Sequence, residues 1–390
     1  MVEDVSLPFP NREGSALAPG LGLMWIGIFT GFFSFPALLG LLTGLAEAMR
    51  AVRGRRPIRW ERLALLGLIL TGRWWIRYLR RADPDEPKPL TPSRRGTAEG
   101  RGGVRLEWEQ FGPPDAPALL LSHGWSLTHD TWYYQKKALA AEFRVIVWDM
   151  RGTGHSGAPA DWDYSMEAVT DDLAAIFEAT DAGRHPLGCV LAGHSVGAMI
   201  LPLFAERFPE HMTRVCGLAL LGGTDTPLLE TMWGRKWLVP LRPLFWEPLA
   251  RTMTRFPSPF EAFARLCRQM GCVHAALMFG THVGHESRGQ DDLLADRCAH
   301  FSMRAAGAGA LACFAHDARA AMGRITVPTL LLTGSSDRNM PPGIQRAMAA
   351  RLNHPHLILI EKCGHLSLLE CHAEVSAHLG EFARHCFQVS

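Results

Sequence analysis

The chain has 390 residues, of which 47% are hydrophobic, and a formal charge of +2. That length holds one large domain with something added, and that apolar share excludes a chain disordered throughout. The near balance of charge leaves no footprint for nucleic acid. The nine cysteines include no CxxC pair, so neither a disulfide framework nor a zinc ribbon is expected, and a reducing compartment fits best.

Ser15 to Ala46 contains no charged side chain, and Leu21 to Ala46 is dominated by Leu, Ile, Phe, Gly and Trp. About 20 such residues suffice to cross a bilayer. A cleaved signal peptide fits poorly, because Glu3, Asp4 and Glu13 stand against Arg12 where a basic region belongs. A retained anchor is therefore expected, with a kink or re-entrant turn at Pro36. Arg50, Arg53, Arg55, Arg56, Arg59 and Arg62 follow, opposed by Glu61, which makes this end cytoplasmic by the positive-inside rule. Leu63 to Gly72 is too short to span alone and runs into an Arg- and Trp-rich stretch ending at Arg81, the composition of an interfacial segment. Whether Leu63 to Leu79 is stretched into a second span stays open; without it, the rest of the chain is cytoplasmic. Residues 1–82 are thus expected as anchor and interfacial segment. Residues 83–95, with Pro84, Pro87, Pro89 and Pro92, form a stiff linker.

From residue 96 the pattern is globular. Val104 to Glu109 alternates like an antiparallel strand, and Gly112 to Asp115 is turn chemistry. Apolar runs then predict strands at Ala118 to Leu121, Arg144 to Trp148, Gly188 to Ala192, Val215 to Leu221, Thr329 to Leu332 and Leu357 to Ile360. Helical patterns separate them at Thr131 to Ala141, Met166 to Thr180, Val196 to Arg207, Gly343 to Leu352 and Ala373 to Phe387. This is the rhythm of an α/β domain, a mostly parallel, doubly wound sheet with helices on both faces. The rhythm breaks at about residues 225–323, read as a helical cap inserted over the site.

The chemistry gathers at strand ends. Gly193-His194-Ser195-Val196-Gly197 lies between an apolar strand and a helix, the setting of a nucleophile elbow that exposes Ser195. Such a hydroxyl needs a base, an acid to orient the base, and donors for an oxyanion. Ser122-His123-Gly124-Trp125 ends a neighbouring strand, so the N–H groups of Trp125 and Val196 are the expected oxyanion donors. Asp337 and His365 follow the next strands, in the order Ser, Asp, His. Asp149 and Arg151, in the loop after another strand, are read as structural, fixing a tight loop through charge-assisted hydrogen bonds.

The chain from about residue 100 onward resembles the α/β-hydrolase superfamily. The likeness rests on His123-Gly124, the Asp-x-Arg-Gly-x-Gly-x-Ser loop at 149 to 156, the elbow at 193 to 197, the Gly-x-x-Asp loop at 334 to 337, and Gly364-His365. Membership implies Ser195 as nucleophile, Asp337 as acid, His365 as base and backbone donors at Trp125 and Val196, with no cofactor. Serine at the elbow argues against dehalogenases and epoxide hydrolases, which place aspartate there. Asp225 is the second candidate acid, from a position that some members use. Gly124, His194, Trp233 and Trp237 are candidate substrate contacts, the last two in a cap whose aromatic and basic residues suit a lipid-binding cleft, a membrane contact or plain core packing. His274, His282 and His285, with Asp291 and Asp292 nearby, lack a tight ligand pattern, so no metal is expected.

The reading that follows is a membrane-anchored serine hydrolase of a carboxylic ester, plausibly of a lipid or another apolar ester. Its rivals are a cofactor-free haloperoxidase or perhydrolase, a carbon–carbon bond hydrolase with the same triad, and a membrane-associated binding protein that keeps the fold without turnover.

Overall fold

The computed structural model describes residues 60–72, 82–232, 234–270 and 287–389, together with Ala46, Met49 and Trp74. The expected anchor, apart from Ala46, lies outside the described residues, as do the arginines from Arg50 to Arg59, Trp233, His274, His282 and His285. Among the described residues no helix is long and apolar enough to cross a membrane. The first described helix, α1 (Trp60–Leu70), has no buried residue.

Eight strands form one sheet: β1 (Arg94–Glu99), β2 (Arg105–Phe111), β3 (Ala118–Ser122), β4 (Arg144–Trp148), β5 (Cys189–His194), β6 (Val215–Leu221), β7 (Thr329–Gly334) and β8 (Pro355–Ile360). Their order is β1-β2-β4-β3-β5-β6-β7-β8, with β1–β2 and β2–β4 antiparallel and the remaining pairs parallel. β3, β4 and β5 are buried along their whole length, which is why they read as unbroken apolar runs rather than alternating ones.

Alternate residues nonetheless serve different layers. Leu120, Ile146 and Leu191 pack on one face with α3 (Met166–Ala179) and α4 (Val196–Arg207). Leu119, Leu121, Val145 and Val190 pack on the other with α2 (Tyr133–Leu139) and the C-terminal helix (His372–Val389).

β1 is a strand that the sequence reading did not anticipate. Its sequence RRGTAE has no apolar alternation, and only Ala98 is buried. Pairing holds it: Gly102 and Gly103, both at positive φ, turn the chain back onto β2. Trp108 lies across Gly96, where a Cβ would come within 2.5 Å of the indole. The folded sheet thus begins at Arg94, inside the stretch read as linker.

The cap enters between β6 and β7 as α5 (Arg235–Leu241), α6 (Glu247–Arg255), α7 (Pro257–Gln269), α8 (Arg288–His300) and α9 (Met303–Ala315). The chain then closes with α10 (Pro342–Ala349) and the C-terminal helix, α11. Glycines let α9 pack closely. A Cβ on Gly307 would lie 2.4 Å from the carbonyl oxygen of Ala250 in α6, and one on Gly309 would lie 1.8 Å from the indole of Trp125.

Asp149 and Arg151 are both buried, and each has its own partner. Asp149 accepts from the backbone N–H groups of His129 (2.9 Å) and His155 (3.0 Å), tying two strand-end loops together. Arg151 forks onto Asp172 of α3 with both contacts at 2.6 Å, and it also donates to the carbonyls of Asp163 and Arg101. Truncating one member of such a buried pair strands the other charge. Arg151→Met is therefore expected to lower stability by about 3–5 kcal/mol, read as a fall in the urea midpoint without a change in slope.

Candidate active site

Backbone packing builds the site. Ser195 sits between β5 and α4 at φ 54 and ψ −118, a region that costs a non-glycine residue about 1–3 kcal/mol. The flanking glycines follow from contact distances. A Cβ on Gly193 would lie 2.0 Å from the carbonyl oxygen of Gly197, and one on Gly197 would lie 2.2 Å from that of Ser122 at the end of β3. The same approach brings the next loop in, since a Cβ on Gly124 would lie 3.2 Å from the Cβ of Ser195.

The structure brings Ser195, His365 and Asp337 into one hydrogen-bonded line. His365 Nε2 is 3.1 Å from Ser195 Oγ, and His365 Nδ1 is 2.8 Å from Asp337 Oδ2. Asp337 has a fully buried side chain, and its carboxylate has other donors. Oδ1 accepts from the N–H groups of Asn339 and Met340, both at 2.9 Å, and Oδ2 accepts from Thr333 Oγ1 at 3.3 Å. These bonds satisfy the buried charge and fix its orientation. Asp225 is placed elsewhere. Its Oδ2 accepts from Arg351 at 2.8 Å, so His365 is oriented by Asp337.

On the other side of Ser195, the N–H groups of Trp125 and Val196 have no backbone acceptor among the described residues. Val196 opens α4, so its N–H belongs to the unsatisfied first turn, where a developing negative charge is favoured. The Trp125 ring is clamped edge-to-face by Tyr164 (5.6 Å between centroids) and Phe301 (5.4 Å), with Gly309 of the cap beneath it. His123 fixes the same loop from behind. Its Nδ1–H donates to the carbonyl of Gly124 (2.7 Å), and its Nε2 accepts from the N–H of Met150 (3.0 Å). Burial pushes the His123 pKa down, which suits a ring whose Nε2 must stay an acceptor.

The remaining sequence candidates fall differently. Gly124 lies against Ser195, as described. His194 is buried beneath the site, and its Nε2–H donates to the backbone carbonyl of His365 at 2.8 Å, which holds the His365 backbone. Trp237 is exposed on α5 rather than enclosed with Ser195, and Trp233 is outside the described residues.

One residue escaped the sequence reading. Glu370, buried five residues after His365, accepts from the N–H of Gly364 (2.7 Å) on one oxygen and of Leu366 (2.9 Å) on the other. It brackets His365 by clamping the amides on both sides. The available signal was a carboxylate closing the leucine-rich stretch Leu366-Ser367-Leu368-Leu369.

The chain matches the α/β-hydrolase fold family over residues 117–370 and belongs to it. A protein of Variovorax paradoxus named "Putative carbamate hydrolase RutD" is 30% identical over 301 residues, 70% of this chain and 97% of that one. The bifunctional esterase/perhydrolase DCH of Acinetobacter calcoaceticus is 34% identical over 117 residues, 30% of this chain and 40% of the relative. A solved thermophilic esterase from Thermogutta terrifontis shares the fold with a TM-score of 0.58 at 24% identity, covering 76% of this chain and 100% of its own. Family and relatives make the chain a hydrolase, while the relatives' names span carbamates, esters and epoxides.

His194 makes the site's support sensitive to acid. Its burial, with His365 beside it, pushes the pKa from 6.5 down to about 3. Below the ordinary value the unfolded chain takes up a proton that native His194 refuses until about pH 3. Its contribution is therefore complete above 6.5 and is lost as pH falls from there towards 3. His123 and His316, also held neutral by burial, add to the slope. The melting temperature is expected to fall between about pH 7.5 and about pH 5, and to fall less in His194→Gln.

Proposed function

We propose that this protein is a serine esterase acting through an acyl-enzyme on Ser195, with an apolar carboxylic ester, such as one derived from a lipid, as substrate. The observation that carries the reading is the Asp337–His365–Ser195 line, with Ser195 held at positive φ and, beside it, two backbone N–H groups that have no backbone acceptor among the described residues.

His365 Nε2 accepts the Ser195 proton as Oγ attacks the ester carbonyl. The carbonyl oxygen gains negative charge and is stabilised by the N–H groups of Trp125 and Val196. His365 then donates its proton to the departing alkoxide, which leaves as the alcohol. Water attacks the acyl-enzyme by the same route and releases the acid. Asp337 holds the imidazole with Nδ1 protonated and stabilises the imidazolium formed in each half-reaction. Glu370 and His194 keep the backbone around His365 in place.

The presence of serine at the elbow favours acyl transfer over the epoxide chemistry of some relatives, and the esterase/perhydrolase relative is consistent with an ester substrate. Carbamate hydrolysis is the competing bond choice. The uncharged stretch Leu21 to Ala46 and the arginines after it support attachment to a membrane with the hydrolase domain on the cytoplasmic side.

Ser195→Ala is expected to abolish both labelling by a fluorophosphonate probe and turnover of p-nitrophenyl esters, by several orders of magnitude in kcat. Full esterase activity in that variant would end the proposal. Faster turnover of a p-nitrophenyl carbamate than of any ester would transfer the assignment to carbamates. Glu370→Gln leaves one of the two clamped amides without its acceptor. Its kcat is expected to drop by about 10- to 100-fold, with KM little changed, because the base is displaced while the substrate walls are not.

A further inference from the structure

The cap is apolar on two faces. Leu238 of α5, Trp246 of the turn that follows and Ala250 of α6 are buried in the main core. Beside them Trp237 and Leu244 are 77% and 79% exposed, and Leu241, Phe245 and Phe256 also face solvent. α1 also exposes apolar side chains, with Trp60 70% exposed and Leu65 and Leu68 open to solvent. Among the described residues, the exposed large hydrophobic side chains all fall in residues 49–74 and 237–256. Single exposed apolar residues are ordinary, but this concentration marks an interaction surface. α1 reaches the cap, since Ile69 packs with Phe263 and Leu266 of α7 against the same buried pair, Cys267 and Met270.

Charge indicates the occupant. Residues 235–256 carry Arg235, Lys236, Arg242, Arg251 and Arg255 against the single carboxylate Glu247, which Arg242 already holds at 2.7 Å. α1 is fed by the arginine-rich stretch from Arg50 to Arg62, and the uncharged run of bilayer-spanning length ends at Ala46, 14 residues before Trp60. Apolar side chains interleaved with arginine match the headgroup layer of an anionic membrane. A second copy of this chain fits less well, because a symmetric contact would set the same basic residues against one another.

We propose that the exposed face of α5 and α6, together with α1, docks the cap onto a bilayer containing anionic phospholipid. This is a contact additional to any anchor at residues 21–46, and it does not depend on the ester chemistry. It lies one packing layer from the site, because α6 abuts α9 at Gly307 and α9 abuts Trp125 at Gly309.

The test is photolabelling of the full-length protein on vesicles of phosphatidylcholine with about one third phosphatidylserine, doped with a phospholipid carrying a diazirine in its acyl chain. Adducts are mapped by peptide mass spectrometry. Adducts are expected on residues 237–256 as well as 60–74. In the double variant Leu244→Asp, Phe256→Asp the cap adducts should fall at least about fivefold while those on 60–74 persist. Ser195→Ala should give the wild-type map, which separates docking from turnover. Adducts confined to the N-terminal segment would overturn the proposal, as would no adducts at all. Cap-to-cap crosslinks in place of lipid adducts would overturn it in favour of self-association.

Discussion

The structure depends on the close approach of three backbone segments around Ser195. β5 must turn into α4 so tightly that Gly193 faces the carbonyl of Gly197, while Gly197 faces the carbonyl of Ser122 at the end of β3. No side chain fits at either point, and the turn leaves Ser195 at positive φ. Parallel pairing of β3 with β5 holds both strand ends level, with Ser122 opposite Gly193. The same register that forces glycine at 193 and 197 therefore also delivers the Gly124–Trp125 loop to Ser195. The strain is local, and the strands, buried on both faces, hold it in place.

The other half of the site illustrates how a buried charge is kept. Asp337 has two backbone donors, a threonine hydroxyl and His365, so its desolvation is offset on both oxygens. Glu370 performs the related task for the His365 loop, with one amide on each oxygen. His123 and His194 are buried and neutral, and each spends its N–H on a backbone carbonyl. The polar framework behind the reacting atoms is thus largely side chain to backbone, which fixes loops more firmly than exposed side-chain pairs do.

The cap connects this framework to the outside. Gly309 and Gly307 let α9 lie between the Trp125 ring and α6, so the cap packs directly on the loop that carries Trp125. The membrane-docking face proposed for α5, α6 and α1 would act at the outer end of that stack, and the family chemistry at the inner end.

Much of this was legible in the chain. The buried central strands announce themselves as unbroken apolar runs, and the strand–turn–helix setting of Gly193 to Gly197 singles out Ser195, because local backbone geometry dictates local sequence there. The positions of Asp337 and His365 followed from strand ends in the same way. β1 was illegible, since an edge strand held by pairing and by Trp108 over Gly96 needs no apolar alternation. Long-range partners were equally hidden. That Asp225 belongs to Arg351, that Arg151 belongs to Asp172, and that Glu370 clamps the His365 loop depend on which elements the sheet order brings together. Local sequence determined the buried strands, the elbow and the order of the residues around it; only the tertiary structure decided the edge strand β1 and which buried charge meets which donor, because that pairing is set across the sheet rather than along the chain.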